Sequence, residues 1–266
     1  IEECAATYQA DEFIVFPKFR DPNLWEITKN IIQDKNINVV VPTLDETILK
    51  WAEQRDEYAK LGVHVLVSDK ETIAVFQDKW KTFQFFEKIG VPQPNTSLSF
   101  EFPLVKPRNG RGGKGILIHP DPATLDMDGM ISQELLKGTK YTIDVFCNLE
   151  GVPVYIIPRK RLQVRDGKST NGVTVYHTEI EKWVKKICSD IQFKGPINLQ
   201  CFETPEGEIN FTVINPRLGG GSALGFAASE NWVTLMINHL IEGKEIHPLP
   251  IKWDIKMYRY YNEVFV

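Results

Sequence analysis

The amino-acid sequence predicts a mixed fold in which an α/β layer precedes a larger α+β part. Short apolar runs alternate with helical segments up to Gly90, which is typical of a doubly wound parallel sheet. Beyond a proline-bearing segment at residues 91–96, strands predominate and helices only interrupt them. The length of 266 residues exceeds the ~150 typical of one domain, so we divide the chain into two parts with a boundary near Asn95.

The first part of the chain alternates between strand-forming and helix-forming segments, which favours parallel strands connected by helices. A layer of this kind normally begins with a strand and a helix that would precede Ile1, so either this domain is short or its opening unit lies outside the sequence. The predicted strands are residues 13–16, 37–41 and 63–67, and the predicted helices are residues 23–33, residues 46–61 and a short helix from Ser68, where Ser68 and Glu71 form a capping-box pattern.

A helix with one apolar stripe is predicted to connect the two parts. Its apolar residues recur at three-residue steps, and Gly90 ends the pattern. The prolines of residues 91–96 then disfavour helix, so this segment is predicted to be a linker. The helix covers residues 78–89, and its stripe consists of Trp80, Phe83, Phe86 and Ile89.

The second part of the chain is dominated by apolar runs of strand length. Two longer segments with helical periodicity separate or follow them, which predicts an α+β arrangement. The predicted strands are residues 104–105, 116–118, 141–147, 152–157, 173–177, 197–202 and 209–214, and the predicted helices are residues 178–192 and 223–242.

Glycines and basic residues occupy the turn between the first two of these strands. A dinucleotide fingerprint needs a helix after its last glycine, whereas Ile116 begins a β-branched run and also stands where a Walker motif needs lysine. We therefore predict a hairpin whose backbone amides cover a polyphosphate as a flap, the alternative being an ordinary hairpin with a flexible tip. The glycines are Gly110, Gly112, Gly113 and Gly115, and Lys106, Arg108 and Lys114 would supply charge.

Composition and charge exclude several classes of protein. The formal net charge of −4 argues against a general nucleic-acid surface, which needs a basic excess. No apolar run approaches the ~20 residues that cross a bilayer, and no secretory leader is visible, so we expect a cytoplasmic protein without membrane contact. The four cysteines form no C-x-x-C pair and are expected to be reduced thiols in or near the core; they are Cys4, Cys147, Cys188 and Cys201.

Four short motifs follow one another in a fixed order along the chain. They are Asp-Lys at residues 78–79, Val-Lys-Pro at 105–107 with its glycine hairpin, Ser-Gln-Glu-Leu-Leu-Lys-Gly at 132–138 and Ile-Asn-Pro-Arg-Leu-Gly-Gly-Gly at 214–221. In this order they resemble the ATP-grasp superfamily, most closely its carbamoyl-phosphate-synthase-like branch of carboxylate–amine ligases. Residues 41–46 also look like a loop of the family's preceding domain.

The resemblance implies that two antiparallel sheets clamp ATP, and that a substrate carboxylate attacks the γ-phosphate to give an acylphosphate from which an amine displaces phosphate. Residues 1–94 would be the preceding domain with its linking helix, 95–136 the small lid subdomain and 137–266 the large subdomain. Lys79 and Lys106 would contact phosphate oxygens, the alternative being surface lysines. The adenine would lie against a hinge formed by Gln133, Glu134, Leu135 and Leu136. The alternative is that these residues form an ordinary strand end.

Three arginines are candidates for contact with the transferring phosphoryl group or the substrate carboxylate. Strand alternation places Arg159 and Arg161 on one face. If that face points into the cleft, their guanidinium groups stabilise developing negative charge; if it points outward, they form a solvated edge. The resemblance implies that Arg217, beside a glycine loop, faces substrate and phosphate. The alternative is that this loop is only a turn leading into the next helix.

Two positions depart from the family pattern, and both lack an expected acid. Val213 stands where the family places a Mg²⁺ ligand two residues before the asparagine, which leaves three candidate metal ligands: Asn215, Gln200 and, as a substitute acid, Glu203. Lys140 stands where an acid often binds the ribose hydroxyls, and a lysine cannot accept those hydrogen bonds.

The sequence thus predicts an enzyme that uses ATP and Mg²⁺ to join a small carboxylic or amino acid to an amine. The alternative is a nucleotide- or metabolite-binding module, or a subunit that needs a partner, because the missing acids weaken the case for phosphoryl transfer. A kinase-like phosphotransferase is set aside, since no Asp-Phe-Gly or His-Arg-Asp segment is present. A homodimer is a possible assembly, and the substrate is left open.

Overall fold

The computed structural model describes residues 4–110, 112–165 and 168–265. Its first part contains two short parallel strands that alternate with helices, as predicted. Val39 pairs with His64 and Val40 with Val65. After a 3-10 turn at Ala5–Tyr8, the elements are α1 (Leu24–Asp34), β1 (Val39–Val40), α2 (Asp45–Ala59), β2 (His64–Val65) and α3 (Lys70–Phe76).

Two local predictions for this part are wrong. Residues 13–16 form no strand and pair with no other segment of the described residues, and Phe13, Val15 and Phe16 are exposed. Ser68 does not cap α3: its hydroxyl accepts a hydrogen bond from the backbone N–H of Lys194, 3.0 Å away, in the second part of the chain. Ser68 therefore ties the two parts together.

The connecting helix α4 (Lys79–Ile89) begins and ends as predicted. The Asp78 side chain accepts from the backbone N–H of Trp80, and Gly90 ends the helix in the left-handed conformation with φ +70°. Phe86 is fully buried and contacts the ring of Phe211 on the large sheet, with centroids 6.2 Å apart. The helix thus fixes the first part of the chain against the second.

A small four-stranded sheet follows, with strand order β3-β6-β4-β5 and antiparallel pairing. The predicted glycine hairpin is confirmed, since Leu104 pairs with Ile118 and Val105 with Leu117 across it. The strands are β3 (Thr96–Ser97), β4 (Leu104–Pro107), β5 (Leu117–Ile118) and β6 (Met130–Gln133).

A six-stranded antiparallel sheet forms the largest layer, with order β11-β10-β7-β8-β9-β12. One of its faces is apolar and packs against α5 through Ile180, Val184 and Ile187. The described cysteines are free thiols, and three of them are buried here. The elements are β7 (Thr139–Cys147), β8 (Pro153–Arg165), β9 (Lys168–Thr174), α5 (Thr178–Asp190), β10 (Gly195–Glu203), β11 (Ile209–Asn215) and β12 (Lys256–Tyr258).

The single helix predicted over residues 223–242 is wrong. The chain forms α6 (Ala223–Ala228), then α7 (Trp232–Leu235), which continues as a π-helical turn at Met236–Ile241. Ser229 breaks the helix because its hydroxyl donates to the carbonyl of Gly225 and accepts from the indole N–H of Trp232. The break places the Trp232 ring in the core, fully buried. Among the described residues, no helix is long and apolar enough to cross a bilayer.

Candidate functional site

The second face of the six-stranded sheet carries polar side chains over one part, which we call the polar face. The rest of this face is apolar, since Phe146, Tyr155 and Ile157 pack there against Trp232. Strand register places its members side by side: Asn198 lies opposite Asn215 and Asp144, and Gln200 lies opposite Val213 and Thr142. Because alternate residues share a face, Lys140, Arg159 and Arg161 belong to the same set. The polar face comprises Lys140, Thr142, Asp144, Arg159, Arg161, Asn198, Gln200, Phe202, Val213 and Asn215.

A buried ion pair occupies the centre of the polar face. Arg159 Nε donates to Asp144 Oδ2 at 2.5 Å and Nη2 to Oδ1 at 3.1 Å, with side chains 2% and 0% exposed. The amide of Asn198 and the hydroxyl of Ser222 also donate to Asp144. The interpretation of Arg159 as a residue that contacts substrate is therefore corrected, since its guanidinium group is enclosed and engaged.

The glycine loop after β11 covers this ion pair. A Cβ at Gly221 would lie 2.7 Å from Arg159 Nη1, so only glycine permits the loop to approach so closely. The sequence suggested that these glycines bring bare amides to an anion. In the structure, the close approach of Gly221 is to Arg159 of the same chain.

Lys106 is buried where the small sheet meets the polar face. Its Nζ donates to Gln133 Oε1 at 2.6 Å, and the Gln133 amide donates onward to Thr96 Oγ1 at 2.8 Å. Burial lowers the pKa of Lys106 to about 7, and repulsion from Lys79 and Lys140 acts in the same direction. The structure therefore brings two of the predicted binding residues, Lys106 and Gln133, into one hydrogen-bonded chain.

Lys79 is located at the first turn of α4, under the glycine hairpin. Its Nζ donates to the carbonyls of Arg108 and Gly110, at 3.2 and 3.1 Å. Burial lowers the pKa of Lys79, and attraction to Asp45 and Asp78 partly offsets the effect. Lys79 thus joins the helix to the hairpin, and it lies close enough to Lys106 to repel its charge.

Lys140 and Arg161 extend the same row of cations onto the large sheet. Burial lowers the pKa of Lys140 to about 8, with repulsion from Arg161 as the second cause. Burial also lowers the pKa of Arg161, with repulsion from Arg159 as the second cause. Lys140 Nζ lies 5.2 Å from the centroid of the Phe202 ring, which gives the ammonium a cation–π contact.

The glycine hairpin has a backbone that requires glycine. Gly110, Gly112, Gly113 and Gly115 all have positive φ, and a Cβ at Gly115 would lie 2.9 Å from Pro107 Cγ. Arg108, expected to supply charge to a phosphate, instead donates twice to the carboxylate of Asp78. Lys114, a basic residue of the same hairpin, is exposed.

Arg217 does not point freely into the site. Its Nε and Nη2 donate to the two carboxylate oxygens of Asp45 at 2.5 Å each, and Nη1 donates to the Leu218 carbonyl. Asp45 is the first residue of α2, so the pair locks the start of that helix to the loop after β11. The predicted contact of Arg217 with substrate would require this pair to open.

The hinge residues lie at the end of β6, as their motif predicts. Gln133 is buried, Leu135 is exposed and Leu136 is half-buried. The carboxylate of Glu134 accepts from the backbone N–H and the side-chain amide of Asn95, at 2.9 and 2.8 Å. Glu134 therefore joins the linker to β6, and an adenine amino group would have to share its oxygens.

Asn215 and Gln200 lie on the polar face, but Glu203 does not. Glu203 is three residues beyond Gln200, so strand alternation turns it to the opposite face. There its carboxylate accepts from the Tyr141 hydroxyl at 2.8 Å and lies 3.6 Å from His177 Nε2. The interpretation of Glu203 as a metal ligand beside Asn215 is corrected for this reason.

The oxygen donors of the polar face do not fit a protein-held Mg²⁺ ion. Within the described parts of the chain, no group of three or more His, Cys, Asp or Glu residues could hold a metal ion. The carboxylate of the polar face, Asp144, is bound by Arg159, Asn198 and Ser222. Mg²⁺ prefers carboxylate oxygens, whereas Asn215 and Gln200 offer neutral amides.

A cavity of about 290 Å³ opens beneath the glycine hairpin and continues toward α2. Lys79, Asn109 and Gly110 line it on the hairpin side, and Val213 and Asn215 line it on the sheet side. Asp45 and Glu46, at the start of α2, form its far wall. The cavity therefore extends from Lys79 to the first part of the chain.

Sequence reasoning missed Asn198 and Ser222, which complete the buried network around Asp144. Asn198 appeared only as part of a predicted strand, although an asparagine within an apolar run was the available signal. It also missed Gln133 as the hydrogen-bond partner of Lys106. That contact joins two strands of the small sheet and depends on their register.

Comparison with known proteins agrees with the fold. Residues 76–221, more than half of the chain, match the model of an ATP-grasp domain, and residues 2–66 match a PylC-like N-terminal domain. The chain is 25% identical over 272 residues to the carbamoyl phosphate synthase large chain of Methanobrevibacter smithii, which covers 84% of this chain and 25% of that protein.

A second relative is the 3-methyl-D-ornithine–L-lysine ligase of Methanosarcina acetivorans, 22% identical over 91% of this chain and 66% of that protein. Among solved structures, the biotin carboxylase domain of the Hydrogenobacter thermophilus 2-oxoglutarate carboxylase, in complex with MgADP, ADP and bicarbonate, superposes with a TM-score of 0.74 at 13% identity, covering 94% of this chain and 64% of that one. The chain thus spans about a quarter of the synthase large chain and about two thirds of the other two proteins.

The ordered motifs, the two antiparallel sheets and the matched model agree with one another. The chain belongs to the ATP-grasp family, with a PylC-like N-terminal domain before its ATP-grasp domain.

Proposed function

We propose that this chain binds ATP between its two sheets and uses it to join a small carboxylic or amino acid to an amine. The observation that carries the proposal is the proximity of three lysines from a helix and two sheets: Lys79, which contacts the glycine hairpin, and Lys140 both lie close enough to Lys106 to repel its charge. Each lysine is partly or fully buried, and like charges held close together repel one another. A polyanion such as a triphosphate would relieve that repulsion.

In the proposed reaction, a carboxylate oxygen of the substrate attacks the γ-phosphorus, and the bond to the bridging oxygen of ADP breaks. The amine nitrogen then attacks the acyl carbon, inorganic phosphate leaves, and the nitrogen loses a proton. This chain's part is to position the triphosphate with Lys79, Lys106 and Arg161 and to exclude water with the hairpin. Amino acids are the first substrates to test, because one relative is by name a ligase of an amino acid and lysine.

The test is release of ADP and phosphate from ATP and Mg²⁺ with pairs from an amino-acid panel. Stoichiometric ADP, phosphate and an amide product, all absent in Lys106→Met, would support the proposal. ATP binding without ADP release for every pair would refute the ligase reaction and leave nucleotide binding in place.

A second candidate function is nucleotide binding without group transfer. Val213 and the engagement of Asp144 by Arg159 favour it, because the polar face then offers a Mg²⁺ ion only neutral oxygens. The amino-acid panel separates the two candidates, since only the ligase consumes ATP.

A further inference from the structure

The polar face offers few carboxylates that could bind a metal ion beside the phosphates of ATP. Asp144 already accepts from Arg159, Asn198 and Ser222, so a metal ion would have to compete with a guanidinium group for its oxygens. Val213 occupies the position opposite Gln200 and presents only methyl groups. A divalent cation would thus find few protein ligands here, and none that is charged and available on the described part of this face.

The same region is rich in positive charge. The pKa values of Lys79, Lys106, Lys140 and Arg161 are lowered, in each case chiefly by burial. Within the described ranges, no carboxylate lies within ion-pair distance of Lys106 or Lys140, and Lys79 donates only to backbone carbonyls. These four side chains carry up to four positive charges, and a fully ionised nucleoside triphosphate carries about four negative ones.

We propose that this chain binds its nucleoside triphosphate as the metal-free anion, with Lys140 supplying charge that a magnesium ion would otherwise provide. The inference rests on the proposed nucleotide site and holds whether or not phosphoryl transfer follows. It deepens the proposal by naming the ionic form of the ligand.

Lys140 is suited to this role by its position. It lies on β7 next to the site of Lys106, and its ammonium is held over the Phe202 ring rather than by an acid. A lysine ammonium donates in three directions and does not need planar geometry, so it can follow the oxygens of a flexible chain of phosphates. On binding, a triphosphate would offset the repulsion that now acts between Lys140 and Arg161.

The carboxylates on the far wall of the cavity are the strongest argument for a metal ion. Asp45 gives both oxygens to Arg217, which leaves Glu46 as the acid to examine. A Glu46→Gln variant tests whether this acid binds a metal ion. If Glu46 holds a metal ion that the nucleotide needs, the substitution weakens ATP binding in Mg²⁺ but not in EDTA.

The experiment is calorimetric titration of the full chain with ATP, once in excess Mg²⁺ and once in EDTA. We expect the apparent dissociation constant to be at least about tenfold lower in EDTA than in excess Mg²⁺, because Mg²⁺ binds most of the ATP and so lowers the concentration of the metal-free anion. Equal dissociation constants in the two buffers would overturn the inference, because the site would then not select the metal-free anion. Binding that is lost in EDTA and present in Mg²⁺ would overturn the inference and leave the proposed function intact. No binding in either buffer would overturn both.

Lys140→Glu and Lys160→Glu form the matched pair of variants. Lys160 lies on the neighbouring strand, opposite Tyr141, and its exposed side chain points away from the polar face. We expect Lys140→Glu to weaken binding in EDTA by about thirtyfold or more and Lys160→Glu by less than about threefold. Equal effects of the two substitutions would show that Lys140 contributes only general charge. If Lys140→Glu fails to fold, the comparison of buffers with the unaltered chain still decides the question.

Discussion

Replacement of Lys106 by methionine should stabilise the ligand-free protein at low pH and destabilise it at high pH. The side chain is 7% exposed, and burial lowers its pKa from 10.5 to about 7. A lysine whose pKa is depressed in the fold destabilises the folded state below that pKa, and the penalty fades as the pH rises from 7 toward 10.5. Methionine removes the charge and keeps a similar length.

The size of the effect follows from the depressed pKa and one hydrogen bond. A shift from 10.5 to about 7, at about 1.4 kcal/mol per unit, is on the order of 5 kcal/mol at pH 6. The substitution also leaves Gln133 Oε1 without its donor, at a cost of about 1 to 3 kcal/mol. We therefore expect a net gain of about 2 to 4 kcal/mol at pH 6 and a net loss of about 1 to 2 kcal/mol at pH 10.

Urea denaturation of both proteins at a series of pH values measures this difference, and Lys88→Met on the exposed face of α4 is the control. The control should change the unfolding free energy by less than about 0.5 kcal/mol at every pH. The reasoning is refuted if Lys106→Met destabilises the protein equally at pH 6 and pH 10. That result would mean that burial does not destabilise the charged form of Lys106.

Three further predictions follow from other parts of the site. Arg159→Met should lower the unfolding free energy by about 3 to 5 kcal/mol in urea, because it leaves Asp144 buried without its partner; a fully stable variant with lost activity would instead restore a direct role in catalysis. ATP affinity should fall by about tenfold between pH 6.5 and pH 9, as Lys106 and Lys140 lose protons, and a flat calorimetric profile would contradict the lowered pKa values. Gly115→Ala should weaken ATP binding and lower the stability by about 1 kcal/mol, because the residue has φ +73° and a Cβ would contact Pro107. Gly112→Ala is the control: its φ is also positive but the space around it is open, so it shows the effect of backbone strain without the contact with Pro107.

Sequence patterns were sufficient where a residue's role depends on its own strand or turn. The hairpin around Gly110 followed from glycines between two apolar runs, and the shared face of Arg159 and Arg161 followed from alternation. The parallel pair β1 and β2 followed from the spacing of strand and helix. These features are local, so the order of residues determines them.

Sequence patterns failed where the partner of a side chain comes from a distant segment. Nothing near Arg217 indicates that Asp45, 172 residues away, binds its guanidinium group. Whether Arg159 faces solvent, ligand or Asp144 depends on the packing of the loop that contains Gly221. Glu203 is a different case, because counting from Gln200 along the strand would already have placed it on the other face.

Lysine acylation with and without nucleotide tests the central claim most directly. The claim is that the row of lysines under the hairpin binds the phosphates of ATP. With mass-spectrometric detection at pH 8, ATP should protect Lys79 and Lys140 from acylation, adenosine should not, and exposed Lys160 should react equally in all samples. Unchanged acylation of Lys79 and Lys140 in saturating ATP would contradict the account.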